Sequence, residues 1–277
     1  MKNIALKFSA VLIALTLAVL APADAAAKVG LSVTPKIWFT VENFNAFETA
    51  LLTNNTTRTI SLREQVNIPL AGAAVGFRPG DAPIDFLFNF YGGTGKGNFL
   101  GVIGPATTPQ FNGRYELKRT DIEFLVRYLP KERPWNLFTG IRVNSFKDTQ
   151  TLTSAHIWSS TGKKTQVTDT TIVLWEVGAG FQAPINEAGT HRFFGNTTFG
   201  VGSFATEISN ASTTLKKNRK DGGAAAWDIN SGYEVFLGEY FSLAARYRMY
   251  AKPTSPMDDG YNLTVIHGPD FGATLRF

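Results

Sequence analysis

Histidine and serine side chains are the first candidates for chemistry in this sequence. His156 lies between Ser154 and Ser159, where an imidazole could serve as the base for a serine nucleophile. The surrounding residues are mostly serine, threonine and lysine, a composition typical of a solvated loop. His191 and His267 are distant in the chain and stand beside no comparable set. The sequence therefore predicts a solvated histidine at His156 and no enzyme active site.

A glycine-rich run at residues 92–97 (GGTGKG) superficially resembles a phosphate-binding loop. It lacks the G-x-x-x-x-G-K-[ST] spacing, and no helical pattern follows it. The chain has no cysteine, and its histidines and carboxylates do not have the spacing of metal ligands. We therefore expect neither a metal nor a cofactor.

Charged side chains that alternate with apolar ones are the most informative polar residues. A strand directs successive side chains to opposite faces, so these charges share one face of a sheet. They would be costly in a dry core but suit a polar barrel lumen, where near-balanced charges can pair across strands. The predicted lumen residues are Asp85, Asp121, Glu123, Arg127, Arg142, Glu176, Asp228, Glu234, Arg246, Arg248 and Arg276.

The opposite faces of the same segments are apolar. Examples are Phe88, Phe124, Ile141, Trp175 and Val201. Such a face suits the lipid-facing wall of a barrel. A soluble sandwich with its polar face in water is the open alternative.

Turn signals divide the chain into about ten such segments joined by alternately short and long connections. The short turns are Arg78–Asp81, Pro130–Pro134, Asn186–Gly189 and Gly238–Glu239. The long loops are 43–58, 92–114, 147–168, 207–223 and the loop with Pro253, Pro256, Asp258 and Asp259 that leads to the last segment. This rhythm predicts an antiparallel barrel with short turns at one end and long loops at the other. Pro35 and Pro69 interrupt the first two segments, so eight or twelve strands remain alternatives to ten.

The final segment, from Gly268 to Phe277, alternates strictly between apolar and polar or small residues. It ends on Phe277 and resembles the closing strand of bacterial outer-membrane β-barrels. In that family the terminal phenylalanine is read by the barrel-assembly machinery. The resemblance implies an all-β, antiparallel transmembrane barrel, an assembly signal at Phe277, and the assembly machinery as a partner.

The start of the chain is typical of a secretory signal peptide. Lys2 and Lys7 precede an apolar run, and small-residue cleavage sites follow before Ala27. We expect a signal peptide over 1–27, a single barrel domain over 28–277, and an outer-membrane location. A charged fraction of 18% and an aromatic fraction of 13% agree with a lipid-facing wall.

The net charge of +5 favours anionic partners. Export and the scatter of basic residues argue against nucleic acid, so lipid and lipopolysaccharide are the expected partners, with a small solute as an open addition. The basic run Lys216, Lys217, Arg219 and Lys220 is a candidate lipopolysaccharide contact.

Three functions follow from this pattern. The first is a non-enzymatic barrel, acting as a structural surface protein or a narrow, gated channel for small solutes. The second is a hydrolase of lipid or peptide at the extracellular rim; omptin proteases use an Asp pair with an Asp–His pair, and barrel lipid A deacylases use His and Ser. This chain has no short Asp-x-His or His-x-Ser unit on a predicted strand, which favours the first function. The third is a secreted soluble barrel that binds a ligand in an apolar interior.

Overall fold

The computed structural model describes residues 30–51, 57–80, 82–103, 111–131, 133–152, 165–210, 218–256 and 262–277. They form ten antiparallel strands: β1 (Gly30–Leu51), β2 (Thr57–Arg78), β3 (Ile84–Ile103), β4 (Phe111–Tyr128), β5 (Trp135–Leu152), β6 (Thr165–Pro184), β7 (His191–Asn210), β8 (Asn218–Phe236), β9 (Phe241–Pro256) and β10 (Asn262–Arg276). Within these described ranges there is no helix long and apolar enough to cross a bilayer. The predicted signal peptide over 1–27 lies outside them.

The ten strands close into one barrel, because β1 pairs with β2 on one side and with β10 on the other. In the closing seam Val33 lies opposite Leu275, and the backbone N–H of Phe277 donates to the carbonyl of Leu31 at 2.8 Å. Closure leaves no open edge, which is how a sheet satisfies its backbone groups in lipid. The prediction of a ten-strand antiparallel barrel is confirmed, and the alternatives of eight and twelve strands are wrong.

The predicted long loop over 92–114 is wrong. β3 continues through the glycine-rich run to Ile103, and β4 begins at Phe111. Glycine is required at position 93 because β2 approaches closely: an added Cβ would lie 2.3 Å from the carbonyl oxygen of Pro69. The loops predicted over 43–58, 147–168 and 207–223 begin later, since the strands before them extend to Leu51, Leu152 and Asn210. They also end earlier, since the next strands begin at Thr57, Thr165 and Asn218.

The outer wall is apolar in the half of the barrel next to the short turns, here called the turn end. Trp175 is 59% exposed and Ile141 is 53% exposed, and exposing such large apolar side chains to water is unfavourable. Four or five outward apolar residues follow one another at alternate positions on most strands, which corresponds to a band of about 15–20 Å along the barrel axis when the strand is tilted. Aromatic rings line the turn end of this band, with Tyr128 and Trp135 at 6.3 Å between ring centroids. Because side chains alternate between the two faces of a strand, the polar residues of these strands point into the barrel.

Candidate functional site

The lumen is filled by large side chains that lie over glycines of neighbouring strands. A Cβ added to Gly178 would come within 2.2 Å of the Phe138 ring, and one added to Gly180 within 2.1 Å of Asn196 Oδ1. Ten strands enclose little more space than eight, which side chains alone can fill. The inward glycines therefore provide the room in which the long polar side chains extend across the barrel.

Arg142 of β5 lies at the centre of the lumen and joins three other strands. Its guanidinium forms ion pairs with Glu123 of β4, with Glu176 of β6 at 3.0 Å (Nε to Oε1), and with Asp228 of β8 at 2.8 Å (Nη2 to Oδ2). Arg142, Glu176 and Asp228 are all at least 97% buried. Charges this deeply buried are stable only when they are paired and hydrogen-bonded, so the cluster ties four strands together.

Arg248 of β9 extends the cluster toward β1. Its Nε donates to Oδ1 of Asp228 at 3.0 Å, and its guanidinium lies 4.7 Å from the ring centroid of Trp38. The indole N–H of Trp38 donates to the carbonyl of Gly268 at 3.2 Å, which fixes the ring. A planar guanidinium can contact an aromatic ring and a carboxylate at the same time, and Arg248 contacts both Trp38 and Asp228.

Two further sets of hydrogen-bonded side chains reach the same region. One runs from β1 through β3 to β4, and the other joins β9, β10 and β3. Lys36 donates to Asn89 at 2.9 Å, and Asn89 donates to Glu123 at 2.6 Å. Separately, Arg246 donates to Asp270 at 2.7 Å and to the hydroxyl of Tyr91 at 2.9 Å. Tyr91 in turn donates to Asp270 at 2.8 Å. Both sets connect a strand of the β1–β10 seam to β3.

A second buried level lies toward the other end of the barrel, here called the loop end. Asp121 accepts from Arg119 at 2.9 Å and from Asn144 at 2.9 Å. The Arg119 guanidinium also faces Glu42 at 3.8 Å, and Lys252 lies 3.8 Å from the same carboxylate. As around Arg142, each basic side chain lies next to a carboxylate: Arg119 next to Asp121 and Glu42, and Lys252 next to Glu42.

The turn end of the lumen carries smaller, partly exposed pairs. Arg127 and Asp85 form two parallel hydrogen bonds of 2.7 and 2.6 Å. On the opposite wall Arg276 donates to Glu234 at 2.7 Å and to Ser242 at 3.0 Å. Water competes for these pairs more readily than for the central ones, because the two arginine side chains are 31% exposed.

An apolar cluster lies inside the barrel beside the buried charges, with Leu174 directly opposite Arg142 and Val66 directly opposite Glu42. It includes Val66, Ile68, Leu70, Tyr115, Leu117, Ile172, Leu174, Phe204 and Ile266, all at most 6% exposed. Apolar side chains next to the ion pairs keep water away from them and so strengthen their electrostatic attraction. The lumen thus contains apolar side chains beside the polar ones predicted from the sequence.

All eleven residues predicted to line the lumen lie on inward faces, and the structure joins them through the contacts given above. The prediction missed Glu42, Arg119, Lys252 and Lys36. Arg119 lies two residues before Asp121 and Lys252 lies four residues after Arg248, so the same alternation places both on inward faces. Glu42 lies next to the loop predicted over 43–58, where β1 in fact continues to Leu51.

The remaining predicted site residues lie elsewhere. Phe277 sits at the turn end with its side chain 49% exposed. Lys216 and Lys217 lie outside the described residues. Arg219 and Lys220 are the second and third residues of β8, at the loop end of the barrel.

The histidines that the structure describes do not join the lumen carboxylates. His191 contacts the hydroxyl of Tyr233 near a turn, and Nδ1 of His267 lies 2.7 Å from the hydroxyl of Tyr247 on the outer wall. His156 lies outside the described residues. Among the residues that are described, no group of three histidines and carboxylates could hold a metal ion. The buried arrangement is thus suited to holding strands together and filling the lumen.

No protein-family model matches the chain, and no curated protein matches it. Solved structures do. The chain is similar to the outer membrane protease OmpT from Escherichia coli, with a TM-score of 0.63 and 7% identity over 90% of this chain and 97% of that one. It is also similar to the translocator domain of the autotransporter NalP from Neisseria meningitidis, with a TM-score of 0.50 and 9% identity over 90% and 88%. The chain therefore has the fold of bacterial outer-membrane β-barrels.

Proposed function

We propose that this protein is a non-enzymatic barrel of the outer membrane whose lumen is kept shut by its own ion pairs. It serves as a structural surface protein, and any passage of small solutes requires the central pairs to open. The signal peptide over 1–27 and the assembly signal at Phe277 belong to this proposal.

The observation that carries the proposal is the burial of Arg142 among Glu123, Glu176 and Asp228. A water-filled pore would leave these side chains accessible, yet Arg142 is only 3% exposed. Disrupting several buried pairs together is energetically costly, so the closed lumen is the stable state. A soluble barrel with a dry, ligand-binding interior would have its apolar side chains inside and its charges outside, the reverse of the arrangement around Arg142.

Single-channel conductance in planar bilayers tests the closed lumen. We expect the wild-type barrel to insert with rare, brief openings. Arg142→Ala should open more often, because three carboxylates then repel one another around an empty centre. Arg276→Ala is the matched control, since it removes the same group at the partly exposed turn end. A large, steady wild-type conductance would contradict the proposal.

Outer-membrane location needs its own test. Cell fractionation followed by electrophoresis with and without boiling should place the protein in the outer-membrane fraction and show a change of mobility on boiling. Recovery from the soluble periplasm, with the same mobility in both lanes, would argue against the proposed location.

The fold likeness to an outer membrane protease is the one observation that favours an enzyme. At 7% identity it extends to the fold alone, and we propose that the chain does not hydrolyse peptide or lipid. The test compares the folded wild type with His156→Ala on a peptide library and on lipopolysaccharide. Hydrolysis by the wild type that His156→Ala abolishes would replace our proposal with the rim hydrolase.

A further inference from the structure

The outer wall changes character in three successive rows where β4 pairs with β5. The first row is apolar, with Ile122 opposite Val143. In the second row Thr120 lies opposite Ser145, and in the third Lys118 lies opposite Lys147. The apolar band thus ends in two hydroxyls and then two ammonium groups, all on the outward face.

The lysine pair is unusual for a sheet. Directly opposed residues have Cβ atoms about 5 Å apart, and like charges in that position destabilise the pairing. Both lysines are exposed, and Lys118 has no ion-pair partner among the residues that the structure describes. Lys147 faces Asp169 at 3.8 Å, a weak exposed contact that leaves its ammonium group accessible.

The nearest other carboxylate does not neutralise the pair. Glu116 precedes Lys118 by two positions on the same face, but Lys96 of β3 holds it at 3.3 Å. Arg114, two positions further along the same face, is also exposed. The surface at this point therefore carries a net positive charge directly above the apolar band.

We propose that Lys118 and Lys147 bind the phosphate of an outer-leaflet lipid, as found in the headgroup of lipopolysaccharide. The two ammonium groups flank the phosphate, the hydroxyls of Thr120 and Ser145 lie next to the sugar level, and acyl chains run down the wall formed by Ile122 and Val143. An anion between the lysines removes the repulsion that the bare pair suffers. This site rests on the proposed outer-membrane location, and it differs from the basic run at 216–220.

The test uses the refolded mature barrel in detergent and measures lipid binding by native mass spectrometry and by titration. The probes are lipopolysaccharide, the same lipid after its phosphates are removed, and inorganic phosphate. Lys118→Gln/Lys147→Gln should weaken lipopolysaccharide binding by about a hundredfold, since a charge-assisted hydrogen bond contributes about tenfold or more for each lysine. The phosphate-free lipid should bind wild type and variant equally weakly.

The matched control is Lys131→Gln/Arg133→Gln, which removes two positive charges from a turn at the opposite end of the barrel. It should bind lipopolysaccharide as the wild type does. Equal binding by the lysine double variant would overturn the site, as would tight binding of inorganic phosphate alone, which would point to a free anion. Insertion into liposomes and the mobility change on boiling report the proposed location separately, so failure of the lipid site and failure of that location are distinguishable.

Discussion

Nε of Arg142 lies 3.0 Å from Oε1 of Glu176, and both side chains are buried at the centre of the barrel. The contact bridges neighbouring strands β5 and β6, and the same guanidinium reaches Asp228 of β8 across the lumen. One side chain thus fastens strands that are not neighbours in the sheet. Its removal has consequences for stability that a surface arginine would not have.

Arg142→Ala should lower the free energy of unfolding by about 3–5 kcal/mol, the usual cost of leaving buried charges without their partner. The measurement is urea-induced unfolding of the barrel in lipid vesicles, followed by tryptophan fluorescence. Arg276→Ala, at the partly exposed turn end, should cost less. Equal effects of the two substitutions would show that the centre is not specially buried.

Gly268 should not tolerate a side chain. Its φ is +151°, and an added Cβ would lie 1.9 Å from the carbonyl oxygen of Phe39. We expect Gly268→Ala to destabilise the closing seam by about 1–3 kcal/mol. The control is Gly223→Ala in β8, where an added Cβ meets no atom within 4 Å. The midpoint of the mobility change on heating should fall for the first variant and stay unchanged for the second.

The destabilisation caused by a charged substitution on the outer wall should depend on its depth in the membrane. Phe124 lies in the middle of the apolar band, so Phe124→Arg should cost about 2–4 kcal/mol of stability in vesicles, whereas Tyr128→Arg near the turn end should cost about 1 kcal/mol or less. Unfolding titrations of both variants measure the difference. If Phe124→Arg unfolded like the wild type, the apolar band would not face lipid.

Phe277 should affect assembly in cells more than stability in vitro. Its backbone pairs with Leu31, but its ring is half-exposed at the turn end. We expect Phe277→Ser to reduce the amount of folded barrel in the outer membrane of cells and to leave the refolding yield in detergent unchanged. Tyr240→Ser removes a neighbouring exposed aromatic ring as the control. A loss of refolding in vitro would instead assign Phe277 a role in packing.

The alternation of side chains along the chain predicted the two faces, and the alternation of short turns with long loops predicted the barrel. A strand has a period of two, so Glu123 and Phe124 must point to opposite sides wherever the strand is placed. Pairing of β1 with β10 confirms ten strands, and the polar residues of the predicted set lie on inward faces. The strand ends were predicted less well, because cross-strand pairing with β2 and β4 extends β3 through glycines and polar residues that have little strand preference of their own.

The sequence by itself determined which residues share a face, because that depends only on the local backbone. Only the tertiary structure decided which of them meet. Arg142 reaches Asp228 through closure of the sheet, and Lys118 faces Lys147 through the register of β4 and β5. Register and closure are set by contacts among distant segments, which a local pattern does not contain. For the same reason the apolar cluster inside the barrel was not predicted: Ile68, Leu117 and Ile172 come from three separate strands and meet only inside the closed barrel.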